Sequence, residues 1–169
     1  MSGKVITRRE SRETAVGLIY EYEFGKDRDK NEIYELALEE RFDNVNDDFA
    51  KELFFETVDH LEEIDAKISE CADNWRIDRI GRVPLAILRL AACEIGYFPE
   101  IPVEITVNEA LELTREFDTE NSVAFVNGVL GKVSKGVSKP DARKKPKKSE
   151  ESEETENSEK SGTEKTDGE

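Results

Sequence analysis

The residue pattern points to an all-α protein of about seven helices. Apolar residues recur at helical spacing in every ordered-looking segment, and nowhere does strict apolar–polar alternation last long enough for a strand. Capping and breaking residues fall between the stripes: Thr7, the run from Gly25 to Asp29, the FPEIP loop with its two prolines, and Thr119.

Thr7 followed by Glu10 is a capping-box pattern, and Ala15, Leu18, Ile19 and Tyr22 continue it as a helix from about Arg8 to Phe24. Arg8, Arg9 and Arg12 sit in its first turns, where cations oppose the helix dipole; this reads either as a binding use or as a solvated basic face. Ile33, Leu36 and Ala37 predict a short second helix ending near Phe42. After the polar DNVNDD, the stripe Phe49, Leu53, Phe54, Val58, Leu61, Ile64 and Ile68 predicts one long helix from about Asp48 to Ala72. Pro84 suits the first turn of the next helix, which Leu85, Leu88, Ala92 and Ile95 carry to about Tyr97. Val107, Ala110, Leu111 and Thr114 mark another over about Thr106–Phe117, and Thr119 caps the last.

That last helix contains FVNGVL. Asn127-Gly128 is a strong hairpin signal, but Phe125, Val126, Val129, Leu130 and Val133 form a helical stripe that overrules it. A glycine there costs about 1 kcal/mol. The expected reasons are structural: close helix–helix approach at Gly128, and a hydrogen bond from Asn127 to a neighbouring helix or loop.

Of the net charge of -15, the stretch 27–70 carries -11, with 16 acidic against 5 basic side chains, which is read as solvated helix faces. Two segments run the other way, at +3 each: Met1–Arg12, and Arg76–Arg89 with Arg76, Arg79, Arg82 and Arg89. Phosphate attraction is screened within roughly 10 Å at moderate salt, so local basic segments can bind nucleic acid on an acidic protein. Residues 139–169 contain no Val, Ile, Leu, Phe, Tyr or Trp and are expected to form a disordered charged tail.

Enzyme chemistry finds no starting residue. His60 is the only histidine and has no nucleophile beside it in the sequence; Cys71 and Cys93 lie in apolar helical contexts as buried thiols. Gly131-Lys132 fails the phosphate-loop pattern at both ends, and no EF-hand loop is present, so no metal, cofactor or catalytic group is assigned. No apolar run approaches a membrane span and no signal peptide opens the chain; a cytoplasmic location is expected. Phe125, near the start of the last helix, reads either as core or as an aromatic for stacking on RNA bases.

The blocks RRESRETAVGLIYEYEF, NWRIDRIGRVPLAILRLAACEI, IPVEITVNEALELTREF and ENSVAFVNGVLGKV, in this order and spacing, resemble the transcription antitermination factor NusB family over roughly residues 5–137. The resemblance implies two packed helical subdomains, about 5–72 and 73–138, followed by the 139–169 tail. It implies binding of boxA-type RNA together with the small-subunit ribosomal protein acting as Nus factor E. It further implies joining the elongating RNA polymerase with other Nus factors on ribosomal RNA operons. By position, Arg8, Arg9 and Arg12 match the family's arginine-rich motif, Phe125 becomes a candidate base-stacking residue, and Arg89 and Asn121 fall near the RNA. Tyr20, with Arg79 and Arg82, is assigned to the protein-partner surface. Pro84-Leu85 stand where many members have an acidic-basic pair, which removes or replaces a contact. The alternatives are a helical accessory module of an RNA cytosine methyltransferase and an acidic protein-binding adaptor.

Overall fold

The computed structural model describes residues 5–40, 47–73 and 75–136. They form seven α-helices: α1 (Arg8–Phe24), α2 (Lys30–Glu40), α3 (Asp48–Asp59), α4 (Leu61–Cys71), α5 (Arg82–Tyr97), α6 (Val103–Phe117) and α7 (Glu120–Lys135), with a 3₁₀ turn at Ile77–Arg79 before α5. No strand occurs among the described residues. The end of the second helix near Phe42 and the charged tail lie outside the described residues.

The predicted caps at Thr7 and Thr119 form, and Asp47 supplies one that was not predicted. Thr7 accepts the Glu10 N–H at 3.2 Å while the Glu10 carboxylate accepts the Thr7 N–H at 2.8 Å, so α1 starts on a complete capping box. Asp47 caps α3 by accepting the Ala50 N–H, and Thr119 caps α7 by accepting the Ser122 N–H.

Helix α5 is the axle. Every residue from Pro84 to Ile95 is buried, and α1, α3, α4, α6 and α7 all pack against it. A helix buried on every side is stable only when surrounded, and one core cluster runs through all seven helices.

Three expectations need correction. The single helix over 48–72 is two, broken at His60, where φ -111° and ψ 20° leave the helical region. The break lets α3 face α1 while α4 turns toward α7. The apolar stripe continues through it without Gly or Pro, so periodicity alone could not show it. Second, Gly128 makes no close approach: a methyl group there would meet nothing within 4 Å. Val126, Val129, Leu130 and Val133 turn inward, which puts Asn127 and Gly128 on the solvent face. Asn127 hydrogen-bonds to no neighbouring element among the described residues.

The third is Arg89, which does not face a ligand. Its side chain is 1 % exposed, forked onto Asp65 of α4 through two 2.8 Å bonds and donating also to Glu23 of α1. Burial pushes the Glu23 carboxyl up, but hydrogen bonds from Arg89 and Lys26 outweigh it and hold the group below its ordinary value.

Arg89→Met is therefore expected to destabilise the fold by about 3 kcal/mol, because Asp65 and Glu23 lose their shared cation. Glu23 is depressed in the folded state, so its contribution is complete above the ordinary carboxylate range and lost as pH falls below it; urea melts of wild type and variant should converge in acid. Gly128→Ala should stabilise α7 by about 0.5–1 kcal/mol in the same melts, since its space is open and its glycine serves no internal contact.

Candidate nucleic-acid interface

The segment between α4 and α5 brings aromatic and basic side chains together. Trp75 is 56 % exposed. Its ring lies 6.3 Å from that of Phe125 on α7, tilted by 55°, with Phe125 half-buried against the core. Between them opens a groove of about 260 Å³ whose walls include Arg79, Pro84, Asn121 and Ser122. Arg79 is exposed on the 3₁₀ turn, while the neighbouring Arg76 is paired to Asp78 at 2.8 Å.

The segment is held from several sides. The Trp75 N–H donates to the Ala72 carbonyl at 3.1 Å, and the Ser69 hydroxyl donates to the Trp75 carbonyl at 3.0 Å. Asp73, with φ 53°, is paired to Lys132 of α7. Around the first turn of α5, the Arg82 guanidinium lies 4.2 Å from the centre of the Phe24 ring, which meets Tyr20 edge-on at 5.1 Å. Tyr20, Phe24 and Arg82 are all exposed and make a second cluster beside the groove.

The structure thus brings together Phe125, Asn121 and Arg79, with Tyr20 and Arg82 adjacent. It does not bring Arg8, Arg9 and Arg12 to them. Those lie toward the other end of α1, helical rises of about 18–24 Å from Phe24 at 1.5 Å per residue. Arg12 is moreover buried: its side chain, 5 % exposed, donates 3.0 and 2.6 Å bonds to the two carboxylate oxygens of Glu94, itself 1 % exposed. Its predicted phosphate contact is corrected accordingly, because a guanidinium closed under α5 cannot reach solvent-borne RNA. Arg9 stays at the surface, forked onto Glu109 at 3.0 and 3.2 Å, and Arg8 lies flat over Phe49 at 4.0 Å.

Sequence reasoning missed Trp75 and Phe24 as site residues. Trp75 is the only tryptophan and opens the basic Arg76–Arg89 segment. An aromatic at the edge of a basic segment was the available signal.

The sequence matches the NusB family over residues 9–135. This chain belongs to that family. The transcription antitermination protein NusB of Finegoldia magna is 37% identical over 130 residues, spanning 77% of this chain and 95% of the relative. T. maritima NusB superposes with a TM-score of 0.70 at 32% identity, covering 78% of this chain and 93% of its own. A crystal structure of antitermination factors NusB and NusE in complex with dsRNA gives a TM-score of 0.66 at 28% identity, covering 77% and 97%. NusB relatives carry the name of an antitermination protein, a binding function and not an enzymatic one.

The division among the arginines predicts two different outcomes in denaturant melts. Arg12→Ala should destabilise by about 3 kcal/mol or more, because it removes the buried guanidinium that forks onto Glu94. Arg9→Ala should leave the midpoint unchanged, its pair being open to solvent.

Proposed function

We propose that this NusB family member is a transcription antitermination factor that binds boxA-type single-stranded RNA together with the small-subunit ribosomal protein acting as Nus factor E. In this reading it joins the elongating RNA polymerase with other Nus factors in the cytoplasm and supports ribosomal RNA transcription. The observation that carries the RNA part is the Trp75–Phe125 pair, an exposed ring and a half-buried one 6.3 Å apart, beside an exposed Arg79 that has no ion-pair partner among the described residues. Splayed bases stack on aromatic faces at about 1–3 kcal/mol each, while arginines hold the phosphates. A duplex offers no free base faces, so rings of this exposure favour a single strand.

Asn121 adds no further charge to a groove lined by both Arg79 and Asp118, and it carries amide donors and acceptors for a base edge. The Tyr20–Phe24–Arg82 cluster supports the protein-partner part of the reading. It presents two aromatic rings and a cation, the side chains that dominate protein interfaces. Its position next to the groove lets one partner touch both this chain and the strand. Arg8, Arg9, Arg12 and Arg89 take no part in this reading.

Trp75 is the sole tryptophan, so its fluorescence reports directly on the groove. A boxA-like strand should change that emission, with and without the ribosomal partner, while a scrambled strand should act only at higher concentration. With labelled RNA and anisotropy as readout, Trp75→Ala and Phe125→Ala should each weaken binding by about 1–3 kcal/mol. Arg79→Ala should reduce the salt slope by about 0.7. Unchanged binding in the Trp75 variant, which is surface-exposed and folds independently of that ring, would end the reading.

A further inference from the structure

At the far end of α1 a second groove, about 630 Å³, opens between the first turns of α1 and α3 and the α5–α6 turn. Its floor is apolar: Phe49, Ile101, Pro102 and Ile105, the last 48 % exposed. Its α3 side and turn carry Asp48, Glu52 and Glu100, which have no ion-pair partner among the described residues. The arginines of the opposite wall are largely committed: Arg12 to Glu94, Arg9 to Glu109, and Arg8 flat on Phe49.

We propose that this groove docks a basic segment of a partner protein, seating an apolar side chain on Ile101, Pro102 and Ile105 and flanking Lys or Arg residues against Asp48, Glu52 and Glu100. Charge decides against RNA as the occupant. A phosphate entering here meets three carboxylates without an ion-pair partner among the described residues, while the guanidiniums of the opposite wall are held by Glu94, Glu109 and the Phe49 ring, and each approach of like charge in a partly desolvated groove is unfavourable. A lysine or arginine meets the reverse, and its hydrocarbon stem can lie along the apolar floor while the head reaches the acidic rim. An exposed isoleucine beside a proline and a phenylalanine, rimmed by polar groups, has the form of a peptide-binding groove. This surface is separate from the Trp75–Phe125 groove, so the two can be occupied at once, and the proposal stands or falls independently of RNA binding.

The test is an NMR titration of the full chain with a capped peptide in which leucines alternate with lysines, its counterpart with glutamates replacing the lysines, and oligouridine. The expected result is saturable shifts of the Phe49, Ile101 and Ile105 amides with the lysine peptide alone. Asp48→Asn, Glu52→Gln and Glu100→Gln combined should weaken that binding roughly tenfold, and Ile105→Ser should also weaken it; all four side chains are exposed, so the fold is retained. No shift at these amides with the lysine peptide, or equal affinity in the combined variant, overturns the proposal. So do shifts at the same amides with oligouridine, which would assign the groove to RNA. Shifts that follow protein concentration alone would assign it to a second copy of this chain and overturn it equally.

Discussion

Two charges buried on α5 govern how the rest of the molecule is arranged. Arg89 and Glu94 stand on a helix enclosed from Pro84 to Ile95, where an unmatched charge is prohibitively unfavourable. Each must therefore be met by an opposite charge brought in on another helix. Arg12 of α1 closes on Glu94, while Asp65 of α4 and Glu23 of α1 close on Arg89. Helix α1 is thus tied to α5 at two levels and α4 at one, which fixes their register more narrowly than apolar packing does. Ion pairs of this kind add specificity more readily than net stability. The same ties draw Arg12 and Arg89 inward and leave Arg79 and Arg82 as exposed cations near the start of α5.

Most of the fold was legible because caps and stripes are local. Thr7 with Glu10, Pro84 in a first turn and Thr119 before α7 all act over a few residues, and each marks its helix. The break at His60 was not legible, since it changes direction without changing period. What replaces a breaker there is a tertiary contact: the His60 ring stacks on Tyr97 of α5 at 3.9 Å. The assignment at Gly128 failed for the opposite reason. A costly residue does not by itself imply an internal contact: the stripe already places Gly128 outside with Asn127, away from Val126, Val129 and Val133.

The candidate site was legible in composition more than in geometry. A run of arginines looks alike in sequence whether it faces solvent or a buried carboxylate. The stripe nevertheless held the distinction. Arg12 shares its helical face with Ala15, Val16 and Ile19, and Arg89 with Leu85 and Ala92, all buried. An arginine in register with a core stripe signals a matched charge elsewhere in the chain. Arg79, on a 3₁₀ turn with no stripe, carries no such demand and pairs with no carboxylate among the described residues.

The Trp75–Phe125 groove gains most from how its backbone is fixed. Trp75 precedes a helix but lies outside it, in the kind of connection where side chains usually sample many positions. Here the connection is closed by the Ala72 carbonyl, the Ser69 hydroxyl and the Asp73–Lys132 pair, which links it to the same helix that carries Phe125. The two rings therefore hold their spacing before any ligand arrives. A base entering between or beside them orders itself and little of the protein, and preorganisation of that kind raises affinity without adding a contact. An acidic protein whose long-range field repels RNA depends on such a short-range, prearranged site more than a basic one would.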